Sequence, residues 1–320
     1  MGKNPQKGIV TLGEMKGVIM CELFAMNANH STDVNHSLAL LKPRGGEIGP
    51  HADGWGVAFY EGRAARIFKE PVPAAESRCL AFISEYDYQS TTVIAHIRKA
   101  NPENIGRASA NTHPFERELN GRSWVFAHNG KLPGVKENPA FALKRYQPLG
   151  ETDSEHAFCL LLDLIAASGH CGEGSPSAHD LVEVVGSLVG ELSALGEFNF
   201  MLSNGEYLIA YAHTHMHALH RTCGLDGCTQ EVVLLATSPL TDEAWKTLSP
   251  GSMNIYMNGE EIASIASLQS SQAASEVTQS PAEKTSFKAM NAWIERQAIR
   301  MMNDQRDRSR HRICRPHRRS

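Results

Sequence analysis

Residues that could break an amide bond stand at the ends of apolar runs in this sequence. Cys21 opens the first run, and its thiolate could attack an amide carbon once a base removed the proton. Asn129 and Gly130 follow a later run, where a side-chain NH2 and a backbone N–H could together stabilise a tetrahedral oxyanion. Glycine suits this position because the backbone can then approach a substrate closely. These residue types indicate attack by a thiol on an amide.

Two charged residues could hold the head group of a free amino acid. Arg98 could grip a carboxylate through two parallel N–H bonds, and Asp153 could hold an ammonium group. The general base is the missing member of the set. An α-amine has a pKa of about 7.7–8.0 and can accept a proton at neutral pH. Cys21 would therefore supply its own base if it were the mature N-terminus.

These residues belong to seven short motifs. In chain order the motifs are Met20-Cys21, Arg44-Gly45-Gly46, Asp53-Gly54-Trp55-Gly56, Ala95-His96-Ile97-Arg98, Asn111-Thr112-His113-Pro114-Phe115, His128-Asn129-Gly130 and Glu151-Thr152-Asp153-Ser154-Glu155. Their order resembles that of the class II glutamine amidotransferases, and it is closest to the small stand-alone bacterial branch, the YafJ-like proteins. The resemblance runs from Met20 to about Glu260, and it covers the body of the chain and neither flank.

The resemblance implies an α+β fold, the four-layer αββα sandwich of the N-terminal-nucleophile hydrolases. It implies that Cys21 is the nucleophile and its α-amine the base, and that Asn129 and Gly130 form the oxyanion hole. Arg98 would bind the α-carboxylate of glutamine and Asp153 its α-amino group. No cofactor is implied. Supporting roles through packing and hydrogen bonding are expected of five further residues: Arg44, His51, Asp53, His113 and His128.

The sequence departs from larger relatives of this family in two places. Lys99-Ala100-Asn101-Pro102 follows Arg98, where the glucosamine-6-phosphate synthase type carries Trp-Ala-Thr-His, so the lid and part of the carboxylate clamp differ. Cys21 is also internal to the sequence. The mechanism therefore requires the absence of residues 1–20 from the working protein.

Each motif also has a structural interpretation. Cys21 could be a buried structural thiol, since cysteine is often fully buried. Arg98 and Asp153 could form an ordinary surface pair. The Asn129-Gly130 dipeptide could be only a turn, because Asn-Gly is common in turns.

A histidine-rich segment follows later in the chain. Strand alternation would put His213, His215 and His217 on one face, and Cys223 and Cys228 follow in a Gly-rich hairpin. These are residue types that bind zinc or copper. The chemistry of the family uses no metal, and the spacing matches no well-defined metal site, so we predict no metal here. A metal-handling protein built around His213–Cys228 is the weaker alternative.

Secondary structure is predicted from periodicity and from flanking turn residues. The predicted strands are Cys21–Ala25, Gly56–Tyr60, Thr91–Ile97, Ser123–Ala127, Phe198–Ser203, Tyr207–His213 and Glu231–Ala236. Two helices are predicted, Ser154–Ala167 behind the capping residues Thr152 and Asp153, and Ala178–Leu195 with one apolar face. Because the strands flank this pair of helices and do not alternate with helices singly, the pattern favours α+β layers over a doubly wound sheet.

The composition is that of an ordinary soluble globular protein, with 320 residues, 42% hydrophobic and 21% charged. The net charge is −4, but residues 305–320 hold seven arginines and one aspartate, so the rest of the chain carries about −10. An acidic body with a basic tail is not typical of nucleic-acid-binding folds, so we expect no nucleic acid partner. No run is long and apolar enough for a membrane span or a signal peptide. Seven scattered cysteines then indicate a reducing, cytoplasmic location.

Three segments are predicted along the chain. Residues 1–20 are a leader, a propeptide or the product of a mis-called start, since Met20 is itself an available start. Residues 21–265 form the amidotransferase domain. Residues 266–320 hold a Ser/Ala/Gln-rich linker, a short amphipathic helix over residues 287–302 and a basic, disordered tail.

The predicted reaction is hydrolysis of the side-chain amide of glutamine through a γ-glutamyl thioester, releasing glutamate and ammonia. Ammonia that is used would go to a separate partner enzyme. One alternative is a γ-glutamyl amide hydrolase acting on a glutathione-like or γ-glutamyl-amine substrate, because Arg98 and Asp153 would recognise the same head group. A second alternative is a non-catalytic binding scaffold. It applies if residues 1–20 stay attached, because Cys21 then has no free amine.

Overall fold

A computed structural model describes residues 21–99, 105–168, 176–225 and 228–266. The predicted leader at residues 1–20 lies outside the described residues. The predicted linker, amphipathic helix and basic tail lie outside them too, apart from residue 266.

The described residues form thirteen strands and four α-helices. The strands are β1 (Glu22–Thr32), β2 (Gly54–Glu61), β3 (Ala64–Glu70), β4 (Ser90–Arg98), β5 (Phe115–Leu119), β6 (Arg122–Gly130), β7 (Phe198–Ser203), β8 (Leu208–Ala212), β9 (His217–Leu225), β10 (Cys228–Ala236), β11 (Lys246–Thr247), β12 (Ser252–Met257) and β13 (Glu260–Ile265). The helices are α1 (Asn35–Leu41), α2 (Arg78–Glu85), α3 (Asp153–Ala167) and α4 (Ala178–Ser193).

The strands make two antiparallel sheets. The first has seven strands in the order β11-β9-β10-β1-β4-β2-β3, and the second has six in the order β13-β12-β8-β7-β6-β5. The long strand β1 lies at the centre of the first sheet, between β10 and β4. In the second sheet β6 pairs with β7, so residues 128–130 at the end of β6 lie against the start of β7.

Three hydrophobic clusters separate four layers. Alternation along β1 shows the arrangement, because Phe24 and Met26 pack among the residues of α1 and α2, while Leu23 and Ala25 pack against the second sheet. The third cluster joins α3 and α4 to the outer face of the second sheet. The order of layers is helix, sheet, sheet, helix. The predicted α+β, four-layer αββα sandwich is therefore confirmed.

The seven predicted strands and both predicted helices are present. Phe198–Ser203 has the predicted bounds, and the other elements have shifted ends. Thr152 caps α3 by accepting the backbone N–H of Glu155 on its hydroxyl, as its residue type predicts. The first strand differs most, because it begins one residue after Cys21 and continues to Thr32. Within the residues that the structure describes, no helix has the length and apolar character needed to cross a membrane.

Candidate active site

Cys21 lies where the first strand begins, beside the end of β4. The pairing of Glu22 with Ile97 puts Cys21 next to the segment that follows β4. The backbone N–H of Lys99 donates a hydrogen bond to the sulfur at 3.1 Å. Burial raises the pKa of the Cys21 thiol to about 11, although the Lys99 N–H and the positive charge of Arg98 act in the opposite direction. The thiol is therefore protonated at neutral pH.

Asn129 approaches Cys21 from the other sheet. Its side-chain Nδ2 donates a hydrogen bond to the backbone carbonyl of Cys21, and the residue is buried. Asn129 and Gly130 are the last residues of β6, paired with Asn199 and Phe198 of β7. The alternative that this dipeptide is only a turn is therefore wrong. The side-chain NH2 group expected in an oxyanion hole is therefore bonded to the backbone of the residue that carries the thiol.

Gly130 cannot carry a side chain in this conformation. Its φ angle is +150°, and a Cβ atom would lie 1.9 Å from the backbone oxygen of Glu197. The backbone N–H of Lys131 donates to the same oxygen at 2.9 Å. The end of β6 is therefore pressed against the peptide of Glu197, and glycine is required there for steric reasons.

Arg98 ends β4 and is buried, with 5% of its surface exposed. Its Nη1 donates to the backbone carbonyl of Asp53 at 3.3 Å. Burial lowers the pKa of the guanidinium, and the nearby Asp53 and Cys21 partly offset this effect. The Asp53 carboxylate forms an ion pair with Arg107 at 2.8 Å. Arg98 is thus a buried cation beside Cys21, and the alternative of an ordinary surface pair with Asp153 is wrong.

Asp153 is the first residue of α3. Its carboxylate accepts the backbone N–H groups of Leu132 at 2.7 Å and Ser154 at 2.8 Å. The helix N-terminus favours a negative charge at this position. Since Leu132 lies two residues after Gly130, the bond to Leu132 ties Asp153 to the segment that holds Asn129.

Three buried histidines pack near these residues. The rings of His96 and His113 are 4.3 Å apart, and His128 lies within hydrogen-bond distance of the Ser154 hydroxyl and of the Glu197 backbone oxygen. Burial lowers the pKa of His96 to about 3 and also lowers the pKa values of His113 and His128. All three rings are therefore neutral at pH 7. Their contacts are with neighbouring side chains and backbone, and the supporting roles of His113 and His128 stay predictions.

Arg44 connects the start of β1 to the segment that follows β10. Its guanidinium forms an ion pair with Glu22 at 3.2 Å and donates to the backbone oxygen of Pro239 at 2.7 Å. The ring of His51 lies 3.3 Å from the backbone oxygen of Arg44. Thr237 donates its hydroxyl to the same Glu22 carboxylate. These contacts hold the residue that follows Cys21.

The histidine-rich segment does not form the face predicted for it. β8 ends at Ala212 and β9 begins at His217, so the chain bends between His213 and His217 and strand alternation does not apply. The Nδ1 of His213 accepts the backbone N–H of Phe198, and that of His217 lies 3.1 Å from the Thr237 carbonyl. Among the residues that the structure describes, no group of three or more His, Cys, Asp or Glu side chains is placed to hold a metal ion.

Several residues around the site were not identified from the sequence. Lys99 and Glu22 adjoin predicted residues, so their proximity to the motifs was the only available signal. Glu197, Asn199 and Thr214 lie far from the motifs in the sequence, and no local pattern marks them. The pairing of β6 with β7 and the bend after β8, all in the second sheet, bring them to the end of β6.

Two antiparallel sheets packed face to face between helical layers, with a cysteine at the head of a central strand, are the architecture of the N-terminal-nucleophile hydrolases. Residues 20–226 match the family model described as glutamine amidotransferases class-II. The chain therefore belongs to the class II glutamine amidotransferases.

Sequence relatives extend this similarity over most of the chain. YafJ of Escherichia coli (strain K12), named for the same family, is 39% identical over 261 residues, an alignment that covers 76% of this chain and all of YafJ. A protein of Haemophilus influenzae (strain Rd), named as a glutamine amidotransferase, is 37% identical over 265 residues. The alignment covers 77% of this chain and 87% of that protein.

Solved structures show the same fold. A protein of Pseudomonas aeruginosa PA01, predicted to be a glutamine amidotransferase, is 34% identical with a TM-score of 0.55, covering 76% of this chain and all of that one. The glutamine phosphoribosylpyrophosphate amidotransferase of B. subtilis is 19% identical with a TM-score of 0.50. The match covers 77% of this chain and 49% of the B. subtilis chain, and it concerns the fold alone.

Proposed function

We propose that this protein hydrolyses the side-chain amide of glutamine, with Cys21 as the nucleophile. The observation that carries the proposal is the meeting of three separate segments at Cys21. Asn129 reaches its carbonyl from the second sheet, and the buried cation Arg98 lies beside it at the end of β4. Membership of the class II glutamine amidotransferases makes glutamine the expected substrate.

In the proposed mechanism the α-amine of Cys21 takes the proton of the thiol, and the sulfur forms a bond to the amide carbon. The carbonyl oxygen becomes an oxyanion that the Asn129 Nδ2 and the Gly130 N–H stabilise. The C–N bond then breaks, the amine returns the proton to the leaving nitrogen, and ammonia departs. Water attacks the γ-glutamyl thioester, the C–S bond breaks, and glutamate and the free thiol are released.

Substrate binding in this proposal uses two charged groups, one beside the thiol at the end of β4 and one at the N-terminus of α3. Arg98 binds the α-carboxylate of glutamine and Asp153 its α-ammonium. Both charges are anchored, since Arg98 donates to the backbone of Asp53 and Asp153 accepts from Leu132 and Ser154. Such anchoring reduces the cost of ordering the site when substrate binds.

The mechanism needs a free amine on Cys21. We propose that residues 1–20 are removed or never translated, with initiation at Met20 followed by removal of the methionine. The family model matches from residue 20 onward, which supports this proposal.

The test begins with the intact mass of the endogenous protein. A mass that begins at Cys21 is expected, and ammonia release from glutamine is then measured for the wild type, Cys21→Ala and Cys223→Ser. Loss of the nucleophile lowers turnover at least about a thousandfold. Cys223 is an exposed thiol on β9, so its variant is the matched control and retains wild-type turnover.

Two results would contradict the proposal. If the intact mass shows that residues 1–20 are retained, Cys21 has no free α-amine to act as the base, and a binding scaffold is favoured. A correct N-terminus with turnover only on γ-glutamyl amines or glutathione-like compounds favours a γ-glutamyl amide hydrolase. Assays with and without a candidate ammonia-accepting enzyme then test whether hydrolysis needs a partner, which we propose it does not.

A further inference from the structure

A polar cluster lies beside Asn129 in the second sheet, within hydrogen-bond distance of its backbone oxygen. It consists of Glu197, Asn199, His213 and Thr214, and we call it the Glu197 cluster. Its members come from the start of β7 and from the bend after β8. None of them has a part in the proposed chemistry.

The backbone of Glu197 supports the end of β6. Its carbonyl oxygen accepts the backbone N–H of Lys131 at 2.9 Å and lies 3.1 Å from the Nε2 of His128. The same oxygen fills the space that a side chain on Gly130 would need. Residues on both sides of the Asn129-Gly130 pair are therefore bonded to one peptide group.

The side chains of the cluster hold Asn199 opposite Asn129. Asn199 is 1% exposed, and its Nδ2 lies 2.9 Å from the Thr214 hydroxyl, 3.1 Å from the Glu197 carboxylate and 3.4 Å from the backbone oxygen of Asn129. Its Oδ1 accepts the backbone N–H of Thr214 at 2.9 Å. The Thr214 hydroxyl donates to the Glu197 carboxylate. That carboxylate is the charged acceptor shared by both side chains, so it sets their orientation.

His213 holds Phe198, the residue between Glu197 and Asn199, in place. Its Nδ1 accepts the backbone N–H of Phe198 at 3.0 Å, and Phe198 pairs with Gly130 across the sheet. The start of β7 is therefore held by His213 in the bend after β8 and also by the hydrogen bond between the side chains of Asn199 and Glu197. The cluster makes residues 197–199 a fixed support for residues 128–131.

We propose that Glu197 is a positioning residue that holds the Asn129 and Gly130 donors at the reacting carbonyl. This inference rests on the proposed function and adds a residue to it. Glu197 acts through its own peptide and through Asn199, and it does not touch the substrate. A displacement of about 1 Å at catalytic groups can cost on the order of a hundredfold in rate, so a rigid support for the two donors has a kinetic effect.

The test compares two replacements of Glu197 in the full chain, with intact mass confirming that each protein begins at Cys21. Glu197→Ala leaves the Thr214 hydroxyl and the Asn199 amide without their shared acceptor. We expect kcat for glutamine to fall about 10- to 100-fold, with KM within about twofold of wild type, because Arg98 and Asp153 are unaffected. Glu197→Gln keeps an oxygen that accepts both hydrogen bonds, so kcat stays within about threefold of wild type.

Glu137→Ala is the matched control, since Glu137 is an exposed glutamate. We expect this variant to retain wild-type kinetics. Thr214→Val removes only the hydroxyl, and it provides the test if Glu197→Ala does not fold. Its expected fall in kcat is about 3- to 10-fold with unchanged KM.

Wild-type kcat in both Glu197→Ala and Thr214→Val would overturn the role of Glu197 and leave the proposed function intact. A parallel loss of kcat and rise of KM would also overturn it, because that pattern indicates general damage to the site. If the wild-type protein with a free Cys21 amine releases no ammonia from glutamine, the proposed function fails, and the role of Glu197 fails with it.

Discussion

The chemistry of Cys21 depends on where its proton goes. With the pKa of the thiol raised to about 11 by burial, thiolate is scarce at neutral pH. The Lys99 N–H and Arg98 favour the thiolate but do not outweigh the burial. The proposed attack by Cys21 therefore needs a base, and an α-amine on the same residue, with a pKa of about 7.7–8.0, could serve.

A first prediction concerns the thiol itself. Protonation of a free α-amine places a positive charge beside the sulfur, and this charge stabilises the thiolate. The pKa of Cys21 is therefore expected to be lower in protein that begins at Cys21 than in protein that retains residues 1–20. The pH dependence of alkylation at Cys21, followed by peptide mass spectrometry, measures this difference.

The retained form can be made with Met20→Leu, which blocks internal initiation. Cys79, a free thiol on α2, serves as the internal reference because it lies on a different element from Cys21. Identical alkylation profiles for Cys21 in the two forms would exclude the α-amine as an influence on the thiol.

A second prediction concerns Asn129. Removing one oxyanion donor typically costs about 10²–10³ in kcat. We expect Asn129→Ala to lower kcat for glutamine by this amount and to leave KM nearly unchanged, because the head group of the substrate is bound elsewhere. Steady-state ammonia release measures both constants. An Asn129→Ala protein with wild-type kcat would show that Asn129 only binds the Cys21 carbonyl.

At the scale of elements, the site is built where strand ends from different layers meet. β4 delivers Arg98, β6 delivers Asn129 and Gly130, and the N-terminus of α3 delivers Asp153. At the junction between β6 and β7, the Glu197 oxygen occupies the space that a Cβ on Gly130 would need. The geometry of this junction limits which residue can follow Asn129.

A third prediction tests this junction. Gly130→Ala combines a left-handed φ of +150° with a clash against backbone, so we expect it to destabilise folding by roughly 3 kcal/mol. Gly121 is the matched control. It has a φ of +72° in a turn where an added Cβ meets no atom within 4 Å, so Gly121→Ala costs about 1 kcal/mol, from backbone strain alone. Urea unfolding of both variants provides the comparison, and equal losses would mean that the contact with Glu197 is easily relaxed.

At the scale of the whole molecule, the two sheets enclose histidines that stay neutral. His96 and His128 come from different sheets, and His113 precedes β5. Burial lowers all three pKa values below the 6.5 of an exposed histidine. The folded protein therefore binds fewer protons than the unfolded chain at mildly acidic pH, and the layered structure loses stability there.

A fourth prediction follows from this difference. The stabilisation from the three neutral histidines is complete above about pH 6.5, and it is lost as pH falls from 6.5 toward the lowered pKa values of the folded state. Below pH 6.5 each histidine contributes a slope of up to about 1.4 kcal/mol per pH unit. The free energy of unfolding in urea, measured from pH 7.5 to 5.5, reports this slope. As a control, His36→Gln changes an exposed histidine on α1 and should keep the wild-type slope. A flat profile in the wild type would instead mean that the three rings are protonated in the folded state.

Much of the fold could be predicted because it is encoded locally. Strands such as Phe198–Ser203 are continuous buried runs, and α3 begins at a capping threonine, so short segments were sufficient to identify both. Two helices and six strands were not predicted: α1, α2, β3, β5, β9, β11, β12 and β13. The helices and β11 are short, and their position depends on packing against the first sheet more than on their own periodicity.

The sequence by itself determined the family and, through the family resemblance, the order of the layers. It also predicted the site residues Cys21, Arg98, Asn129, Gly130 and Asp153, because these stand in motifs at the ends of recognisable elements. Only the tertiary structure decided what surrounds them. The burial of Arg98, the support of β6 by Glu197 and the use of Thr214 within the histidine-rich segment all depend on contacts between the strands and bends of the folded sheets. Such contacts join residues that are far apart in the chain, and local propensity carries no information about them. A hydrogen bond across strands is selected by register and layer packing, which exist only after the chain has folded.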